Sequence, residues 1–148
     1  MGTTRAQMAQ HLPEAHTELM RLGAVLDSAL DRELHTLVKL RASLLNGCAF
    51  CVDMHTHEAL EAGTSPQRVS LVSAWREATG HFDETERAVL ELVDALTRLE
   101  GHGLPDDVYS AAAEHLSERE MVALITAVGL INLYNRLAIG TGMAPPVR

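Results

Sequence analysis

Apolar positions recur every three or four residues along most of this chain, the period of a helix with one buried face. Between Leu12 and Leu30 they fall at Leu19, Leu22, Leu26 and Leu30. Between Asp31 and Leu45 they fall at Leu34, Leu37, Val38, Leu40, Leu44 and Leu45. Asn46-Gly47 then predicts a break, because glycine closes a helix readily. A further helix is expected over about 49–62, with Gly63 as its stop. Ser65-Pro66 places a capping residue before a first-turn proline and predicts a helix through about Ala78. Asp83-Glu84-Thr85-Glu86 has the spacing of a capping box and opens a helix over 84–99. Gly101-His102-Gly103-Leu104-Pro105 reads as a linker before a short helix at about 105–115. Ser117-Glu118-Arg119-Glu120 repeats the capping box and opens a long helix to about Ile139. Gly140 and Gly142 should end it, and Pro145-Pro146 begin a short tail. Strand-type alternation and a fixed-period repeat are both missing, so the pattern predicts an all-α fold of six to eight helices.

The segment from Met121 to Ile131 is nearly continuous apolar sequence. A helix apolar all round is expected to be buried on every side. In a chain of 148 residues, another copy could cover part of it, which predicts a homo-oligomer. The alternative is a central core helix of a monomer. The run is too short to span a bilayer. Met1 to Gln10 has no apolar core of the signal-peptide kind, and a cytoplasmic protein is expected. The length suits one domain over 1–148. Net charge is −8, which argues against nucleic-acid and anionic-membrane partners, since both favour basic patches.

Candidate chemistry concentrates at Cys48-Ala49-Phe50-Cys51 and His55. These are the only two cysteines in the chain. On a helix turning about 100° per residue, Cys51 and His55 share a face, and Cys48 lies on it as well. Cys48 should fall at the helix N-terminus, where free N–H groups and the dipole favour a thiolate. His55 could take a proton from Cys51 or hold its thiolate. Glu58, one turn further, could orient the imidazole. In a reducing compartment such a pair points to catalysis, redox chemistry or metal rather than a structural staple. Zinc on Cys48, Cys51, His55 and His57 is disfavoured: His57 lies about 200° from His55, and no second cysteine pair exists. No metal and no cofactor is expected.

With these residues in view, the chain resembles the alkylhydroperoxidase D-like proteins of the carboxymuconolactone decarboxylase superfamily. The likeness runs from Leu37-Val38-Lys39-Leu40-Arg41-Ala42-Ser43 through Leu44-Leu45-Asn46-Gly47-Cys48 and Cys51-Val52-Asp53-Met54-His55. It continues at Trp75-Arg76-Glu77 and Asn132-Leu133-Tyr134-Asn135-Arg136-Leu137, and spans roughly 15–140. The resemblance implies an all-helical fold assembled as trimers or hexamers. It implies a thiol-dependent peroxidase or disulfide reductase acting on small hydroperoxides. It assigns peroxide attack to Cys51, resolution to Cys48 and proton removal to His55, with an unidentified thiol/disulfide partner as reductant. From helix position alone, Cys48 is also a candidate for the more acidic thiol.

One position departs from the resembled pattern. A glutamate usually stands twelve residues before the first cysteine, and here that residue is Thr36. Threonine hydrogen-bonds but is no base near neutral pH. Glu33 and Glu58 are the nearby carboxylates that could complete a proton relay. Two other functions remain as alternatives: a decarboxylase-type lyase on a lactone acid, which need not use a cysteine pair, and a redox-sensing oligomer without turnover.

Overall fold

A computed structural model describes residues 5–148. The first four residues of the N-terminal segment considered above lie outside it. The described residues form eight α-helices and no strand: α1 (Met8–His11), α2 (Pro13–Ala29), α3 (Arg32–Asn46), α4 (Ala49–Glu61), α5 (Pro66–Leu71), α6 (Glu84–Thr97), α7 (Asp106–Ala113) and α8 (Glu118–Thr141).

Local signals set most of the boundaries. Asp31 caps α3 by accepting from Leu34 N–H at 2.9 Å. Both capping boxes form, Asp83 with Glu86 and Ser117 with Glu120, each satisfying N–H groups that the first turn leaves open. Two elements differ from the sequence pattern. A separate turn, α1, precedes Pro13. The helix expected through Ala78 stops at Leu71 and continues only as a 3-10 turn over Val72–Ala74. Arg41 explains the change: its Nη1 takes the carbonyls of Val72 at 3.2 Å and Ser73 at 3.0 Å, and Arg87 takes that of Trp75 at 3.2 Å. Those carbonyls serve 3-10 turns and arginine donors in place of an α-helical ladder. Gly140 lies inside α8, which closes at Gly142 with φ +72.

Helix α3 is the centre of the fold and packs against α4, α6 and α8. Val38 and Ala42 face one apolar cluster with Leu92, Val93, Leu124 and Val128. Leu37 and Leu40 face a second, with Val72, Trp75, Phe82 and Leu90. Burial on both flanks fixes α3 firmly, and α3 in turn carries the segment leading to the cysteines.

Helix α8 corrects two expectations. Met121, Leu124, Val128 and Ile131 are buried, but Val122 is 65 % exposed and Leu133 39 % exposed. The helix therefore buries one side and leaves an apolar stripe outside. An 18-residue stretch within this 24-residue helix has mean hydropathy 1.6 and is long and apolar enough to cross a bilayer, so the shorter run understated it. Within this fold the buried side packs on α2, α3 and α6.

Candidate functional site

The α3–α4 junction builds the site. Asn46 ends α3, and Gly47 at φ +65 closes it, a conformation that costs an L-side chain about 1 kcal/mol. The chain turns at once into α4 with Cys48 as its N-cap; the sulfur accepts from Cys51 N–H at 3.4 Å. The two sulfurs are in direct contact with no disulfide between them, and both residues are buried. This places them within reach of a disulfide, whose bond measures about 2.05 Å.

Side chains of α8 hold the junction in place. Asn46 Nδ2 donates to Asn132 Oδ1 and Asn135 Oδ1, each at 2.9 Å. Asn135, fully buried, donates to Ser43 Oγ at 3.0 Å. Such a satisfied polar network beneath an apolar core fixes geometry, because any unpaired member would be costly. Arg136 donates to Asn132 O and Oδ1, both at 3.0 Å.

One turn along α4, His55 Nδ1 lies 2.8 Å from Glu58 Oε2, and Lys39 Nζ lies 2.6 Å from Glu58 Oε1. The imidazole hydrogen bond, aided by Lys39, holds the Glu58 carboxyl down at about 2, although partial burial opposes it. The carboxylate is therefore ionised at neutral pH and can only accept. Nδ1 must carry the hydrogen, which leaves Nε2 of a neutral ring with a free lone pair. His55 Nε2 is buried without a protein partner. An orphan nitrogen of this kind is costly, about 1–3 kcal/mol.

Cys51 and His55 both line a cavity of about 460 Å³, with Phe50, Met54, Ile131 and Tyr134 among its apolar walls. Cys48 lies behind, outside that lining. Burial first, then the hydrogen bond to Cys48, push the Cys51 thiol up to about 12, with Asn135 pulling the other way. The resting thiol is therefore protonated, and reaction requires a base to take that proton.

The remaining sequence candidates separate. Glu58 joins His55. Glu33 turns away: it pairs with Arg68 at 2.7 Å and lines a different small cleft. Thr36 is buried and returns its hydroxyl to Arg32 O at 2.9 Å. His57 sits by Asp53 and Arg148. Sequence reasoning missed a second dyad on the same cavity. His35 Nδ1 lies 3.0 Å from Asp27 Oδ1, and His35, Asp27, Lys39 and His16 all line the cavity wall. His35 and Lys39, one turn apart on α3, carried the only local signal; Asp27 comes from another helix.

Fold and site together define an α-helical domain with a buried dithiol opening on an apolar cavity, and the chain belongs to the carboxymuconolactone decarboxylase family, whose model matches residues 11–95. Among solved structures, it is similar to ATU0492 of Agrobacterium tumefaciens, a protein of unknown function proposed as the antioxidant defence protein AhpD. That similarity has TM-score 0.92 and 42 % identity, over 99 % of this chain and all of the other. It is 38 % identical over 115 residues to the uncharacterized protein YdfG of Bacillus subtilis, covering 78 % of each chain. The debrominase Bmp8 shares the fold at TM-score 0.80 and 18 % identity, over 91 % of this chain and 72 % of that one. The fold is thus AhpD-like, and it carries more than one chemistry, so function has to be argued from the site.

Proposed function

We propose that this protein is a thiol-dependent peroxidase that reduces hydroperoxides through Cys51 and Cys48. The observation that carries this is the Cys51 thiol on the cavity wall, touching Cys48 and one turn from an imidazole with a free buried nitrogen. His55 Nε2 takes the Cys51 proton. The sulfur bonds to the terminal peroxide oxygen, the O–O bond breaks, and the departing alkoxide receives the proton from His55. Cys51 becomes a sulfenic acid and the alcohol leaves. Cys48 sulfur then attacks Cys51 sulfur, its thiol proton joins the departing hydroxide, and water and a disulfide result. A thiol/disulfide partner returns two electrons and two protons.

Glu58 fixes the His55 tautomer throughout, so it fills the relay position that Thr36 does not. A homo-oligomer in the cytoplasm is part of this reading, the exposed Val122 and Leu133 of α8 being suited to a subunit contact. The test is thiol counting with intact mass spectrometry, before and after one equivalent of an organic hydroperoxide. Loss of both thiols with a mass decrease of two hydrogens is expected in the wild type, and a stable sulfenic acid in Cys48→Ser. Two thiols that persist would sink the proposal and favour a lyase or a structural role.

A further inference from the structure

Two carboxylate–imidazole dyads converge on the cavity, and the reaction above uses only one of them. His55–Glu58 enters from α4. His35–Asp27 enters from α3 and α2, with His35 buried at 6 % exposure and the Asp27 side chain 66 % exposed. The geometry points to His35, oriented by Asp27, as the residue that binds the hydroperoxide by accepting its O–H. This inference rests on the thiol-peroxidase reading.

The chemistry follows from the dyad. A carboxylate only accepts, so Asp27 takes the hydrogen of His35 Nδ1 and leaves Nε2 as an acceptor for the occupant of the cavity that the ring lines. A hydroperoxide has one donor, the hydrogen on its terminal oxygen, and that oxygen is the atom Cys51 must attack. Accepting this hydrogen anchors the reacting end beside the apolar wall of Phe50, Met54 and Ile131, where an unpaired O–H would be costly. The terminal oxygen keeps its hydrogen through the attack and carries it into the sulfenic acid. The alkoxide takes the proton delivered by His55. The two imidazoles therefore have different partners, His35 the attacked oxygen and His55 the thiol and the departing alkoxide.

The role requires an uncharged His35. Burial and then Lys39 hold its pKa below the ordinary value, with Asp27 and Glu58 opposing. The charged or titratable groups on that cavity are His16 and Asp27 from α2, Lys39 from α3, Cys51 and His55 from α4 and Tyr134 from α8. Glu58 acts on His35 from behind Lys39.

The test compares two oxidants of the same thiol: cumene hydroperoxide, which offers an O–H, and dithiobis-nitrobenzoate, a disulfide that offers none. His35→Phe is expected to raise KM for the hydroperoxide about 10-fold, the worth of one hydrogen bond to substrate. Its reaction with the disulfide should stay within about twofold of wild type. His35→Gln keeps an acceptor and should bring KM back to within about threefold. Asp27→Ala, at an exposed position, tests the same claim without touching the core. It should raise hydroperoxide KM about threefold and move the acid limb of the KM profile to lower pH, because a carboxylate that raises the His35 pKa is gone. An unchanged KM in His35→Phe and Asp27→Ala, with an active wild type, would overturn this inference and leave the peroxidase reading standing. Equal slowing with both oxidants would overturn it too, since that marks a packing role. A wild type that reacts with the disulfide but never with the hydroperoxide would overturn both.

Discussion

Replacing Glu58 by glutamine tests how much the His55–Glu58–Lys39 contact contributes to stability. The carboxyl is held at about 2 against an ordinary 4.5. At about 1.4 kcal/mol per tenfold change in affinity for the proton, that difference corresponds to about 3 kcal/mol. A third of the side chain meets water, with 32 % exposure, so solvent screening reduces the expected contribution to about 1–2 kcal/mol. Because the folded-state value is depressed, the contribution is fully present above pH 4.5 and is lost as pH falls toward 2. The Glu58→Gln variant would keep the hydrogen-bonding shape but not the charge, and Lys39, 17 % exposed, would lose its counter-ion. At pH 7 the variant is expected to melt about 2–8 °C lower than the reduced wild type by circular dichroism. Between pH 4.5 and 2 the two curves should converge, because the wild type loses there what the variant never had. Melting within about 1 °C at pH 7 with parallel acid curves would refute the reasoning about this contact.

Alkylation of Cys51 by iodoacetamide in a Cys48→Ser background should keep accelerating above pH 9, because burial holds the thiol far above its ordinary value; a plateau near about pH 8 would contradict this. The same raised value means that folding stability should decline as pH climbs from about 9 toward 12, since the unfolded thiol gives up its proton first. Asn135→Ala removes a fully buried side chain and one hydrogen-bond partner each from Asn46 and Ser43, with an expected loss of about 2–4 kcal/mol in urea unfolding. A loss under about 1 kcal/mol would show that the partners left behind find other hydrogen bonds at little cost. Gly47→Ala meets open space but a left-handed backbone at φ +65, so it should cost about 1 kcal/mol and slow closure of the Cys48–Cys51 disulfide; unchanged closure would show that the junction tolerates repositioning.

What the sequence showed and what it hid divide by the range of the interaction. The capping boxes at Asp83 and Ser117, the Gly47 break and the i, i+3 and i+4 register of Cys48, Cys51, His55 and Glu58 depend on residues within about one turn, so they are legible from spacing alone. The helix expected through Ala78 failed because Arg41, some thirty positions upstream, captures Val72 and Ser73 carbonyls. Glu33 looked as available as Glu58 until Arg68 took it from across the fold. An apolar run such as Met121–Ile131 cannot reveal which of its sides will be covered, since periodicity is lost when nearly every position is apolar. The Asp27–His35 pair has the same origin as these misses: its members lie on different helices, and only packing brings them to the cavity. The departure at Thr36 takes on a different meaning in this light. A glutamate missing from a local motif says nothing about the carboxylates that neighbouring helices supply, and here Glu58 and Asp27 each hold a histidine on the cavity that Cys51 lines. The site therefore holds two oriented imidazoles without a carboxylate at position 36, and on the proposed peroxidase reading substitutions at Thr36 should slow hydroperoxide turnover far less than those at Glu58 or Asp27.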